Sequence, residues 1–128
     1  MKKLIVFFVF ILIVTLAACS QTAESAAEEP AIDPAVYDTG KTVFQANCSA
    51  CHSTTSQDTL VGPSMLGIAE RAGKMADGLD ARGYIEQSIL EPGAFVNEGF
   101  QNLMPATYAN SLSSEDLNAL VEYLLTFK

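Results

Sequence analysis

The sequence predicts an all-α domain of three to four short helices, joined by long loops, with something other than side chains filling its middle. Three observations carry this. No segment alternates apolar and polar residues over six positions, so strand signals are poor. Residues 40–48 and 117–125 each repeat apolar or small residues at helical spacing. The connections, residues 53–64 and 93–112, are long compared with the helices they join. So small a core ordinarily needs a disulfide, a metal or a cofactor to hold it together.

The elements follow in order. Gly40, Val43, Phe44, Asn47 and Cys48 fall at i, i+3, i+4, i+7 and i+8, which predicts a first helix from Ala35 to Cys48. A short turn of helix covers Leu66 to Ala72. A middle helix runs from Ala81 to Leu90, with Tyr84, Ile85, Ser88 and Ile89 on one side, and stops before Glu91-Pro92-Gly93. The last helix is the clearest. Leu117, Leu120, Val121, Leu124 and Leu125 form its stripe, Ser113 caps it, and Glu115 and Asp116 suit its first turn.

The N-terminal quarter has a different character. Of the 128 residues 49% are apolar, but much of this lies in the fifteen-residue run from Leu4 to Ala18. Lys2 and Lys3 precede it. A bilayer span needs about 20 residues, so Leu4 to Leu16 reads as the h-region of a signal and the run as part of an export signal. It ends in Leu16-Ala17-Ala18-Cys19, which resembles a bacterial lipobox. That resemblance implies cleavage after Ala18 and lipid on the Cys19 thiol. Ser20 to Pro34 carries two prolines, four acidic residues and no aromatic, and reads as a flexible tether. The expected organisation is therefore a lipoprotein signal over 1–18, a lipidated cysteine and acidic tether over 19–34, and the folded domain over 35–128.

The chain has 7 basic and 15 acidic residues, a net charge of −8, which becomes −10 once Lys2 and Lys3 are removed. Such a surface repels phosphate backbones and argues against a nucleic-acid partner.

Cys48-Ser-Ala-Cys51-His52 is C-x-x-C-H, the attachment motif of c-type haem. At i and i+3, one helical turn puts both sulfurs on one side, where they can form thioethers with two vinyl groups of one haem. His52 follows directly and can reach the iron. Structural zinc needs four ligands, whereas His52 is the only histidine and Cys19 the only other cysteine. A thioredoxin-like pair needs a βαβ setting that is missing. A Cys48–Cys51 disulfide would leave the thin core unexplained. With one haem c attached at Cys48 and Cys51, a second histidine ligand is impossible. Met65, Met75 and Met104 remain as thioether candidates. Met104, followed by Pro105 in a loop, is preferred, with an open or lysine-ligated iron as the alternatives.

From Ala35 to Lys128 the sequence resembles a class I cytochrome c. Gly40 and Phe44 fall at the Gly and aromatic of the family's N-terminal helix, and Leu120 and Tyr123 at the Leu and aromatic of the C-terminal helix that crosses it. Met104-Pro105 resembles the axial Met-Pro. Gly62-Pro63 resembles the Gly-Pro whose carbonyl accepts the proximal histidine N–H. Arg71 falls at a position that can contact a haem propionate. The resemblance departs from the family in lacking Trp and a lysine ring. Residues 84–92, 99–105 and 112–116 further resemble the cytochrome domain of caa3-type oxidase subunit II and the small cytochrome subunits of alternative complex III. These resemblances imply a class I cytochrome c fold around one covalent haem. They imply an electron-transfer protein without a small-molecule substrate, lipid-anchored on the extracytoplasmic side and serving a respiratory or photosynthetic membrane complex. The competing classes are a peroxidase-like haem enzyme and a haem-based gas sensor, both of which need an open sixth position.

The anchor is testable directly. In a native-like host, Cys19→Ser is expected to move the protein from the membrane to a soluble fraction or to block its processing. Equal membrane retention of the variant in fractionation would assign retention to an uncleaved helix or to a partner.

Overall fold

The computed structural model describes residues 31–128. The expected signal and Cys19 lie outside the described residues. Among these residues the fold is all-helical, with no strand. Its helices are α1 (Pro34–Asn47), α2 (Ile68–Ala72), α3 (Ala81–Leu90), α4 (Tyr108–Ser111) and α5 (Ser114–Leu124).

α1 starts one residue earlier than its periodicity predicts. Asp33 accepts a hydrogen bond from the Ala35 amide at 2.8 Å, and Pro34 occupies the first turn, where its missing N–H costs nothing. Asp33 and Pro34, assigned to the tether by composition, thus form the cap and start of the helix. Its other end is Asn47, where the Cys48 amide still reaches the Phe44 carbonyl at 2.8 Å. Asp80 caps α3 through the Gly83 amide at 2.8 Å, and Ser113 caps α5 through the Asp116 amide at 3.1 Å. α4 lies inside the 93–112 segment that the sequence reads as loop. With only four residues it is too short to show a period.

α1 and α5 make the tightest contact of the fold. A Cβ added at Gly40 would collide with the Ala119 carbonyl oxygen and lie 2.6 Å from Tyr123 Cβ. Only glycine lets the two backbones come this close. Around the crossing, Tyr123 meets Tyr37 at 5.2 Å, Phe44 at 5.8 Å and Phe127 at 5.0 Å between ring centroids, mostly edge-on. Leu120 and Val121 beneath them are fully buried.

α3 closes the core with Tyr84, Ile85 and Ile89. Its Arg82 bridges to α5 through Glu122 and through Asn118 at 3.3 Å, and along its own helix to Glu86 at 3.4 Å. α2 enters from Gly67, whose φ of +70° is left-handed and suits glycine. The Ala69 amide ties α2 to the Phe127 carbonyl at 3.0 Å.

Gly40→Ala must push α1 off α5, so a loss of about 3 kcal/mol is expected in urea unfolding of the haem-loaded protein. An unchanged midpoint would show that the crossing does not require the close approach.

Candidate functional site

The motif forms where α1 ends. The Cys51 and His52 amides both reach the Cys48 carbonyl at 3.0 Å, so Cys48 to His52 make one tight turn. Both cysteines and His52 line one large, mostly apolar cavity. Both thiols are free. Burial, and secondarily Cys51, pushes the Cys48 thiol up to about 11. It stays protonated near neutrality, unlike the depressed thiols of dithiol redox sites.

The next segment loops out and returns beside the motif. Its fixings are local. Ser53 Oγ accepts from the Ser56 amide at 3.0 Å. The Gly62 amide reaches the Cys51 carbonyl at 2.9 Å, and the Met65 amide reaches the Ser53 carbonyl at 2.8 Å. Ser64, the one buried polar side chain among the described residues, donates to the Ser56 carbonyl at 2.7 Å and accepts from the Leu66 amide at 3.1 Å.

This return places the Pro63 carbonyl 2.8 Å from His52 Nδ1. A carbonyl can only accept, so Nδ1 carries a proton, and in the neutral ring it is then Nε2 that has the lone pair. Gly62 lies against the imidazole. A Cβ there would collide with Cε1 and stand 2.9 Å from Nδ1 and 3.0 Å from Nε2. The Gly62-Pro63 pair therefore has two functions: a carbonyl for one ring nitrogen, and room for the ring itself. The sequence reading assigned a role to Pro63 alone.

Of the three candidate methionines, Met104 and Met65 line the cavity, while Met75 packs on the core outside it. Met65 is buried, and its amide bond to Ser53 keeps it with the histidine's own segment. Met104 arrives from residues 93–107, a separate part of the chain. No lysine, arginine or carboxylate lines the cavity among the described residues.

Arg71 does not line the cavity. The resemblance directs it toward a propionate. In the structure its guanidinium donates to the Ser64 and Leu66 carbonyls and clamps the segment after Pro63. Burial lowers its pKa, with Tyr84 opposing. Burial also raises that of Tyr123, helped by Tyr37, and that of Tyr108, helped by Cys48 and then Cys51.

These residues fit a covalent haem. Val61, Phe95, Val96 and Leu103, four of the five large apolar side chains exposed among the described residues, line this same cavity, where a flat macrocycle would cover them. Two thiols one turn apart and an imidazole with a free Nε2 supply the bonds that such a macrocycle needs. Fold and donor set together define a haem protein of the c type. The cytochrome c family model matches residues 37–128, most of the sequence, and the chain belongs to that family. Its cofactor is haem c, covalently bound, and its chemistry is haem-based electron transfer. A search of the curated proteins finds no match.

Acid–organic extraction of the matured protein is expected to leave the colour on the polypeptide, and Cys51→Ala to retain a single thioether with reduced holoprotein yield. Gly62→Ala should lower the yield as well, because the added methyl displaces the imidazole. Haem that extracts freely from the native protein would contradict covalent attachment.

Proposed function

We propose that this chain is a one-electron carrier and not an enzyme, with His52 and Met104 as the axial ligands of its haem. We further propose that it is lipid-anchored through Cys19 on the extracytoplasmic face of a membrane and serves a membrane-bound redox complex. The observation that carries the carrier reading is the composition of the cavity. It combines an imidazole oriented by the Pro63 carbonyl with a thioether from a separate segment, and no charged side chain lines it among the described residues.

When bound, haem c supplies a one-electron ferric–ferrous couple. The chain does the rest. Cys48 and Cys51 hold the group at the end of α1. The Pro63 carbonyl fixes the tautomer of His52 and makes Nε2 a better donor. Met104 offers soft sulfur, which favours the reduced state. The apolar lining excludes water and keeps the change in solvation on electron transfer small. A peroxidase-like enzyme would need a proton-transferring side chain beside an open position, and the lining supplies no carboxylate or second histidine for it.

The tether and charge support the membrane role. Residues 20–32, the part of the expected tether before the Asp33 cap, could stretch to roughly 45 Å, which concentrates the haem domain near any neighbour in the same membrane. With net charge −10 after removal of Lys2 and Lys3, the partner surface is expected to be basic. The resemblance to subunits of caa3-type oxidases and alternative complex III points to quinol-oxidising or oxygen-reducing neighbours.

Met104→Ala should abolish the weak long-wavelength sulfur-to-iron band of the ferric protein and lower the potential, while Met65→Ala keeps the band. A band surviving in Met104→Ala moves the ligand elsewhere. Detergent-solubilised membranes fractionated in high salt decide the partner question. Copurification with a redox complex identifies a subunit. Release, with turnover that falls as salt rises, identifies a tethered carrier. Neither copurification nor electron exchange with any membrane complex would refute the membrane role.

A further inference from the structure

The segment that brings Met104 to the cavity is weakly held. It turns on Gly99, at a left-handed φ of +84°; before that turn it touches α3 through the Tyr84 hydroxyl, which donates to Asn97 Oδ1 at 3.5 Å, and through the Tyr84–Phe95 ring contact, and beyond it the hydrogen bonds are local: the Phe100 amide to the Asn97 carbonyl at 3.0 Å and the Leu103 amide to the Gln101 carbonyl at 2.8 Å. Large apolar side chains on it remain exposed, Leu103 at 62%. One hydrogen bond joins residues 98–112 to α1 and the Cys48–His52 turn among the described residues. The Tyr108 hydroxyl donates to the Asn47 carbonyl at 2.8 Å.

Both ends of this bond sit beside the machinery of the site. Asn47 is the last residue of α1 and precedes Cys48, and Asn47 and Tyr108 both line the cavity. Tyr108 opens α4, whose turn is closed by the Leu112 amide on the Tyr108 carbonyl at 3.2 Å and the Ser111 amide on the Thr107 carbonyl at 3.1 Å. Between Met104 and this turn lie three residues, and the first of them is Pro105, with its φ fixed. A short, stiff connection therefore links the anchored phenol to the thioether.

We propose that Tyr108 is a positioning residue for Met104. Its hydroxyl straps the methionine segment to the helix that carries the haem-attachment turn and so sets how firmly the sulfur is held. The proposal rests on the assignment of Met104 as the distal ligand. The acceptor is a backbone carbonyl, so any side chain at residue 47 would offer it. The strap depends on the phenol alone.

Tyr108→Phe keeps the ring and removes the donor. The probe is imidazole added to the ferric holoprotein at neutral pH, where it competes with the sulfur. Tyr108→Phe is expected to keep the long-wavelength sulfur-to-iron band and to bind imidazole about fivefold more tightly than the parent, the scale of one neutral hydrogen bond. Arg82→Ala, which breaks the α3–α5 bridge away from the cavity, controls for general loosening and should bind imidazole as the parent does. Met104→Ala tests the underlying assignment. If the band is lost there, yet Tyr108→Phe and the parent bind imidazole equally, the strap is refuted and the ligand stands. If Arg82→Ala raises the affinity as much as Tyr108→Phe, overall stability controls the exchange and the strap is refuted. A band that survives in Met104→Ala overturns both.

Discussion

The contact at Gly40 governs the rest of the fold. α1 and α5 meet there with backbone against side-chain root, closer than any residue with a Cβ allows. The crossing seats Phe44 and Tyr123 together and buries Leu120 and Val121 below them. α1 runs on from this crossing to Asn47, and the attachment turn begins at that end. Phe44 and Leu120 line the cavity as well as the crossing, so the packing that holds the two helices also shapes one wall of the site.

Beside this packed wall, the rest of the site is built from irregular backbone held by hydrogen bonds. The return of the chain after His52 is held by the Gly62, Met65 and Ser64 bonds and by the Arg71 clamp on two carbonyls. Each is modest by itself. Their joint effect is to aim a single carbonyl at a single ring nitrogen, which decides the tautomer of the only histidine in the chain. The methionine side is built differently, from a glycine turn, a proline and one phenol. The imidazole is thus held by several bonds on its own segment, whereas the thioether depends on few.

Charge is kept off the cavity and on the outside. No ionisable carboxylate, lysine or arginine lines the site among the described residues, while the chain as a whole is strongly acidic. An uncharged lining limits the solvent and proton movement that accompanies a change of oxidation state. An acidic exterior selects partners at longer range, within the screening length of the medium. The lining mixes uncharged helix side chains, such as Phe44, Ile85 and Leu120, with uncharged loop side chains, such as Phe95 and Met104.

Much of this was legible in the sequence, for local reasons. The C-x-x-C-H spacing is a one-turn motif, so the attachment chemistry needs no tertiary information. The stripe at Leu117 to Leu125 and the cap at Ser113 depend only on neighbours in the chain. α3 lies where its period and its proline placed it. The membership of residues 37–128 in the cytochrome c family agrees with that reading. Other features have no sequence pattern that announces them. α4 is too short to leave a periodic trace. That Met75 lies outside the cavity while Met65 and Met104 line it is a matter of loop path. Arg71 turns to the Ser64 and Leu66 carbonyls because the loop brings them within reach, and Tyr108 finds the Asn47 carbonyl across 61 residues. The sequence by itself determined the helices other than α4 and the attachment turn, since both follow from bonds within a few residues. Only the tertiary structure decided which groups share the cavity and what holds them, since loops without a period are placed by contacts with the rest of the chain.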